Sequence, residues 1–352
     1  MQYGSRGGTR SYFSWPTLTA ICVSSTFLLA DPALSWSCEP KSWQIVFEAV
    51  LIAGPTASGK SAAALALADR LGGRIINADS MQVYRELPVL TAQPSAADMA
   101  DIPHRLYSTV SGREAYSVGR WVADAAAEIR DARSAGQVPI LVGGSGLYFM
   151  ALLQGLSPIP DIPEDVRQHW RGRAATISAS ELHSALAVRD PIMAERLTPT
   201  DTQRLVRALE VVEATGISLA EWQETAGDPV LGAEDLHKLV VAPERKEIYS
   251  AINARFDSML RDGALAEVEA LINLSLDPGL PVMRALGVPE LLAHLAGEVD
   301  LKDASNTAKT MSRRYAKRQM TWARRFMADW TWFPSGEAAA LAALPTQQTD
   351  QP

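Results

Sequence analysis

The run Gly54-Pro55-Thr56-Ala57-Ser58-Gly59-Lys60-Ser61 matches the pattern GxxxxGK[ST]. It follows an apolar stretch, "IVFEAVLIAG", and opens an alanine- and leucine-rich segment, "SAAALALADRLGG". A strand feeding such a loop into a helix is the setting in which the pattern has physical meaning. The glycines let backbone N–H groups face phosphate oxygens, and the helix N-terminus adds a favourable dipole. Lys60 then supplies a point charge to the terminal phosphates, and Ser61 a hydroxyl for Mg²⁺. The chain must therefore build a parallel strand–helix unit around a di- or triphosphate site.

Further strands are expected in "RIINA", "VPILVGG", "HKLVVAP" and "WTWF". "VPILV" is almost wholly apolar, as a parallel strand covered on both faces should be. Helical periodicity runs from Tyr116 to Gly136, with Ser117 as N-cap and Gly136 as stop. Strands alternating with helices give an α/β fold, a P-loop NTPase-like doubly wound parallel sheet. Prolines between Pro158 and Pro163 mark a departure from the sheet, after which the pattern is helical only. The expected organisation is an N-terminal extension (1–45), a first core part (46–158), a helical insert (159–234), a second core part (235–335) and a loose tail (336–352).

A nucleotide-hydrolysing relative would end a later apolar strand on an acid that holds Mg²⁺. Here "VPILV" runs into Gly143-Gly144-Ser145-Gly146 instead. The loop is thus suited to hold a phosphate-bearing leaving group rather than to drive hydrolysis. The available acid is Asp79, at the carboxyl end of the second strand, where open α/β sheets bind ligands. A carboxylate there can take a proton from a nucleophile aimed at the bound phosphate compound. The competing roles are a turn cap for Asp79 and a helix cap for Ser80.

Lys plus Arg total 33 against 40 Asp plus Glu, a net charge of −7, so a nucleic-acid partner requires a local basic patch. One exists: "KTMSRRYAKRQMTWARR", from Lys309 to Arg325, carries seven basic residues and no acid. Arg313 with Lys317, and Arg314 with Arg318, share helix faces, and Tyr315 and Trp322 interleave. A solvated helix face is the plain alternative. In "PTDTQRLVRALEVVEATG", Asp201 or Thr202 caps a helix ending before Gly216, with Leu205, Val206, Leu209 and Val212 on its apolar side. Cys22 and Cys38 have neither zinc nor disulfide-framework spacing, which suits a cytoplasmic protein. The first 45 residues, basic and then apolar from Leu18 to Ala30, read as signal-like or as the product of a mis-assigned start.

The ordered motifs "GPTASGKS", "INADSMQVYREL", "LTAQPS", "IPHRL", "LVGGSGLYFMALLQGL", "DTQRLVRALEV" and "KRQMTW" resemble those of bacterial tRNA dimethylallyltransferases, from about Leu51 to Phe333. The resemblance implies transfer of a dimethylallyl group from dimethylallyl diphosphate to N6 of the adenosine immediately 3′ of the anticodon (position 37). Gly54 to Ser61 would hold the diphosphate with no ATP required, and Ser61 would hold Mg²⁺. Asp79, Ser145 and Arg284 would be catalytic, with Asp79 as general base and Arg284 meeting the diphosphate. Asp79, Ser80, Met81, Gln82, Ser145, Arg167, Gln203, Arg204, Leu205, Val206 and Arg207 would contact the tRNA anticodon stem-loop, Gln82 beside the target base. The resemblance further implies a cytoplasmic monomer with no membrane partner. Leu90 and Gln93 depart from the family's usual glycine and lysine. A prenyltransferase for free adenine nucleotides, a small-molecule kinase and a catalytically idle RNA-binding protein are the alternatives.

Overall fold

The computed structural model describes residues 48–232 and 235–342. The readings made for residues 1–45, including both cysteines, lie outside them, as do 343–352. β1 (Ala49–Ala53) is buried along its whole length and feeds the loop at Gly54. α1 (Lys60–Leu71) returns the chain to β2 (Gly73–Asn77), and α2 (Ala96–Asp101) leads to β3 (His104–Arg105). α3 (Val118–Ser134) then precedes β4 (Val138–Gly143) and α4 (Gly146–Gln154). Ser117 caps α3 by accepting the Arg120 N–H, and Gly136 follows at φ 68°, as the sequence pattern requires.

α5 (Glu164–Thr176), α6 (Ala179–Arg189), α7 (Pro191–Arg196), α8 (Thr202–Thr215) and α9 (Leu219–Glu224) come next, with no strand among them. They share a core of their own around Trp170, Leu186, Leu205 and Leu209. Asp190 is buried there with both carboxylate oxygens partnered, by the Met193 and Leu219 N–H groups and the Ser218 hydroxyl. α8 is capped by Asp201 and closed by Gly216 at φ 71°.

The chain rejoins the sheet in β5 (Leu236–Val241). α10 (Arg245–Arg261), α11 (Ala264–Asn273), a 3-10 turn (Pro281–Arg284), α12 (Val288–Leu295) and the long α13 (Leu301–Phe326) follow, then β6 (Thr331–Phe333) and α14 (Gly336–Ala342). The strand order is β3-β2-β4-β1-β5-β6, every pairing parallel. β3 was not foreseen, because two polar residues at an edge carry no periodicity. The loose tail is corrected over residues 336–342: Ala339 and Ala340 pack with Ala63, Ala64 and Leu67 of α1. Gly336 abuts the Gly59 carbonyl, to which an added Cβ would come within 2.4 Å.

Among the described residues no helix is long and apolar enough to cross a membrane. Trp170 is fully buried at the centre of the α5–α9 core. Trp170→Ala should cost about 3–5 kcal/mol in urea unfolding. Faster amide exchange should be confined to residues 164–224 rather than reaching the sheet.

Candidate active site

Parallel strands deliver their carboxyl ends to one edge, so the loops after β1, β2 and β4 converge. Gly143 makes the convergence tight, since a Cβ there would lie 2.0 Å from the Ala78 carbonyl oxygen. The Ser145 N–H donates to that same carbonyl at 3.2 Å. Ser145 Oγ accepts the Ser80 N–H at 2.9 Å, leaving its own proton free to donate. Ser80 is thus tied to the β4 loop rather than acting as a helix cap.

Asp79 is fixed by its neighbour Asn77, which is fully buried. Asn77 Oδ1 accepts the Asp79 N–H at 2.9 Å, while its Nδ2 donates to the carbonyls of Asp79 and Leu106. Asp79 Oδ1 accepts the Met81 N–H at 3.0 Å, so one oxygen does serve the turn. Its other oxygen has no hydrogen-bond partner among the described residues. The carboxylate stands among Lys60, Arg255 and the phenols of Tyr107, Tyr148 and Tyr315. Burial chiefly, and then the Asp79 charge, holds all three phenols protonated well above the usual tyrosine range.

In the phosphate loop, Ala57 and Gly59 take φ of 63° and 88°, and the Ser58 N–H donates to the Pro55 carbonyl at 3.3 Å. Ser58 Oγ is buried with no hydrogen-bond partner, a polar cradle that an anion or its bound cation would complete. Lys60 Nζ donates to the Pro55 carbonyl at 3.2 Å. Its pKa is lowered to about 8, mainly by burial, with Asp79 opposing and Arg255 assisting. Ser61 is exposed at the start of α1.

Arg255 is the basic residue that the sequence reading missed. It projects from α10 and donates from Nη2 to Thr56 Oγ1 at 2.8 Å. Burial lowers its pKa while Asp79 raises it. Its signal was present: it stands among Ile248, Ile252, Phe256 and Met259 on the buried face of α10. Arg284, the expected diphosphate partner, is exposed in the 3-10 turn and pairs with nothing among the described residues. The loop basicity expected of Arg284 is supplied by Arg255.

Between these loops and α13 lies a cavity of about 350 Å³, within the usual range for small-ligand sites. Ser80, Ser145, Tyr148, Tyr315, Arg318 and Trp322 are among its lining residues. Tyr148 stacks on Trp121 with ring centroids 4.1 Å apart, and Trp121 Nε1 donates to the Asn77 carbonyl. Gln82 does not line the cavity, and its amide nitrogen donates to the carbonyls of Thr91 and Ala92. It staples its own loop through that nitrogen. Met81 packs against the cluster that holds Val83 and Leu87. The departures from the family pattern are absorbed structurally. Leu90 is buried in that cluster, and Gln93 Nε2 donates to the Tyr84 carbonyl.

The remaining expected contacts lie in the α5–α9 region. Gln203 and Arg204 are exposed, Arg204 pairing with Asp201 at 2.8 Å, and Arg207 pairs with Glu210 at 3.6 Å. Arg167 donates to the Ile162 carbonyl. Val206 is half-buried, but Leu205 is fully buried, so its side chain is core and faces no partner. On α13, Arg314, Lys317, Arg318, Arg324 and Arg325 are exposed. Lys309 and Arg313 instead engage Asp257 and Asn253 of α10, which shortens the expected basic surface.

A phosphate loop, an acid facing it and an aromatic cavity between them define a P-loop group-transfer enzyme of the α/β class. The IPP transferase family model matches residues 82–326, and the chain belongs to that family. It is 52% identical over 296 residues to a protein of Methylocella silvestris named tRNA dimethylallyltransferase, covering 84% of this chain and 98% of the relative. A Rhodopseudomonas palustris protein of the same name is 54% identical over 291 residues, covering 83% and 92%. Among solved structures, the tRNA isopentenylpyrophosphate transferase of Bacillus halodurans aligns with a TM-score of 0.57 at 35% identity, over 81% of this chain and 88% of that one. A eukaryotic dimethylallyltransferase acting on tRNA aligns with a TM-score of 0.68 at 27% identity, over 81% and 73%.

The Lys60 shift has a pH consequence. With a pKa lowered from the ordinary 10.5 to about 8 in the folded protein, the cost of burying its charge is present in full below pH 8. That cost is relieved as pH rises from 8 towards 10.5, because the unfolded chain then holds the extra proton. A bound phosphate ester favours the charged form, so its affinity should fall above about pH 8, with proton uptake on binding. Calorimetry in buffers of different ionisation enthalpy would measure this, and Lys60→Met should abolish the dependence.

Proposed function

We propose that this protein transfers the dimethylallyl group of dimethylallyl diphosphate to N6 of the adenosine immediately 3′ of the anticodon in tRNA. The observation that carries the reading is Asp79, within electrostatic reach of Lys60 and Arg255 and next in sequence to Ser80 of the aromatic-lined cavity. The names of the relatives point the same way.

In the reaction, the adenine nitrogen forms a bond to the first carbon of the allylic group as the carbon–oxygen bond to diphosphate breaks. Negative charge grows on the leaving diphosphate and positive charge on the allyl carbon and the attacking nitrogen. Lys60, Arg255 and the N–H groups of the phosphate loop stabilise the departing oxygens, where preorganised donors are worth most. The amine proton becomes acidic as the new bond forms, and the free oxygen of Asp79 takes it. Ser145 offers its hydroxyl proton toward the cavity. The target base must leave its stack to enter, and Tyr148 and Trp322 give it apolar faces to meet.

Among the described residues no cluster of three or more acids, histidines or cysteines could hold a metal. That suits Mg²⁺, which binds through one or two protein oxygens plus phosphate and water. Ser61 at the start of α1 and the orphaned Ser58 hydroxyl are the oxygens present. When bound, the ion would neutralise diphosphate charge.

A free nucleotide acceptor would leave the α5–α9 region and the exposed arginines of α13 without a ligand, so tRNA is the favoured acceptor. Arg204 and Arg207 can exchange their ion pairs with Asp201 and Glu210 for RNA phosphates, and the exposed Gln203 lies beside them on α8. This reading also carries with it a monomer working in the cytoplasm.

The test uses full-length protein, unmodified tRNA, dimethylallyl diphosphate and Mg²⁺, with prenylated adenosine measured after digestion. Product with AMP alone, or phosphate transfer from ATP, would overturn the reading. Asp79→Ala should lower kcat by about 10²–10⁴-fold while diphosphate affinity changes little. Arg255→Ala should cost about 10²-fold or more in kcat/KM, as loss of a buried transition-state donor does. Arg284→Ala should cost far less.

A further inference from the structure

Gln319 lies on a stripe of α13 with Ser312, Ala316 and Ala323, the other three being small and buried. Its Oε1 accepts the Thr56 N–H at 2.9 Å. Its Nε2 donates to the Gly144 carbonyl at 2.9 Å. One amide thus spans the loop after β1 and the loop after β4. On the β4 side a Cβ on Gly144 would lie 2.2 Å from Gln319 Nε2, so a side chain there would displace the amide. Gly146 is matched to the same helix, its Cβ position 2.2 Å from the Trp322 ring.

We infer that Gln319 is a positioning residue, setting the distance between the loop that grips the donor diphosphate and the loop that lines the acceptor cavity. The inference rests on the prenyl-transfer reading. A phosphate loop works by aiming backbone N–H groups, and Thr56 is where this one is anchored. Its N–H is taken by α13 and its hydroxyl by Arg255 of α10. Those helices meet through Ile248, Ile252 and Ala316, with Ala57 of the loop packed against the same cluster. Thr56 therefore cannot point its own N–H at a ligand, and with the Ser58 N–H on the Pro55 carbonyl, only the loop's remaining amides are left to do so. The helix that holds it also presents Tyr315, Arg318 and Trp322 to the cavity. Donor loop and acceptor wall are registered against one rigid element, as in-line transfer requires.

The test compares Gln319→Met, which keeps length and removes both hydrogen bonds, with Gln319→Glu, which keeps only the acceptor for Thr56. Gly144→Ala perturbs the bridge from the other side. Gln319→Met should raise the donor KM and lower kcat, together at least tenfold, with anticodon stem-loop affinity within twofold of wild type. Gln319→Glu should fall between wild type and Gln319→Met, and Gly144→Ala should resemble Gln319→Met. A merely structural amide would lower the melting temperature and the active fraction, leaving donor KM unchanged. That result, or wild-type kinetics in folded Gln319→Met, overturns the inference. If Gln319→Met does not fold, Gln319→Glu and Gly144→Ala decide by the same split. Titration with inorganic diphosphate separates the two failures. If wild type makes no prenylated adenosine, the functional reading falls. Weaker diphosphate binding by the Gln319 variants would still support the positioning role.

Discussion

The close passage of the chain leaving β4 over the chain leaving β2 sets the geometry of everything at the carboxyl edge of the sheet. Gly143 has no room for a side chain against the Ala78 carbonyl. Because of that contact, Ser145 reaches the backbone of Ser80, and Asp79 comes to rest beside the phosphate loop rather than over the next crossover. A parallel sheet supplies the common edge, but only an absent Cβ brings two of its exits within hydrogen-bonding distance. The fully buried Asn77 then holds the Asp79 backbone through two hydrogen bonds and reaches the Leu106 carbonyl with a third.

The electrostatics follow from this crowding. One carboxylate lies among a lysine, an arginine and three phenols in a region where burial disfavours every charged form. Asp79 and the two cations support one another, while the phenols stay protonated and can serve as donors or apolar walls. Such an arrangement holds cations ready for an anionic ligand yet leaves one carboxylate oxygen uncommitted. It is the division of labour that a proton-coupled transfer to an amine needs.

The parts legible in the sequence were those encoded over short stretches. The phosphate loop, Asp79 at a strand end, Ser145 after the glycines and the caps at Ser117 and Asp201 all depend on neighbours a few residues away. Arg255 and Gln319 meet Thr56 across 199 and 263 residues, and no local pattern announces such a meeting. What does mark them is a polar side chain on an otherwise apolar helical stripe. Gln82 and Leu205 show the converse. Each lies inside a motif with a functional association, but local hydrogen bonding and core packing claim their side chains. Arg284 was assigned from its motif match, and it lies exposed in the 3-10 turn.

The packing of α14 gives the phosphate loop a floor. Gly336 sits against the Gly59 carbonyl, and Ala339 and Ala340 close over the first turns of α1. The residue that turns the loop into its helix is thus backed by a segment arriving from the far end of the described chain. Shortening this protein to the last strand would strip that floor away while leaving the phosphate loop, Asp79 and the α13 basic run intact. The loop is a composite of both ends of the domain, and its rigidity is inherited from residues that carry no chemistry of their own.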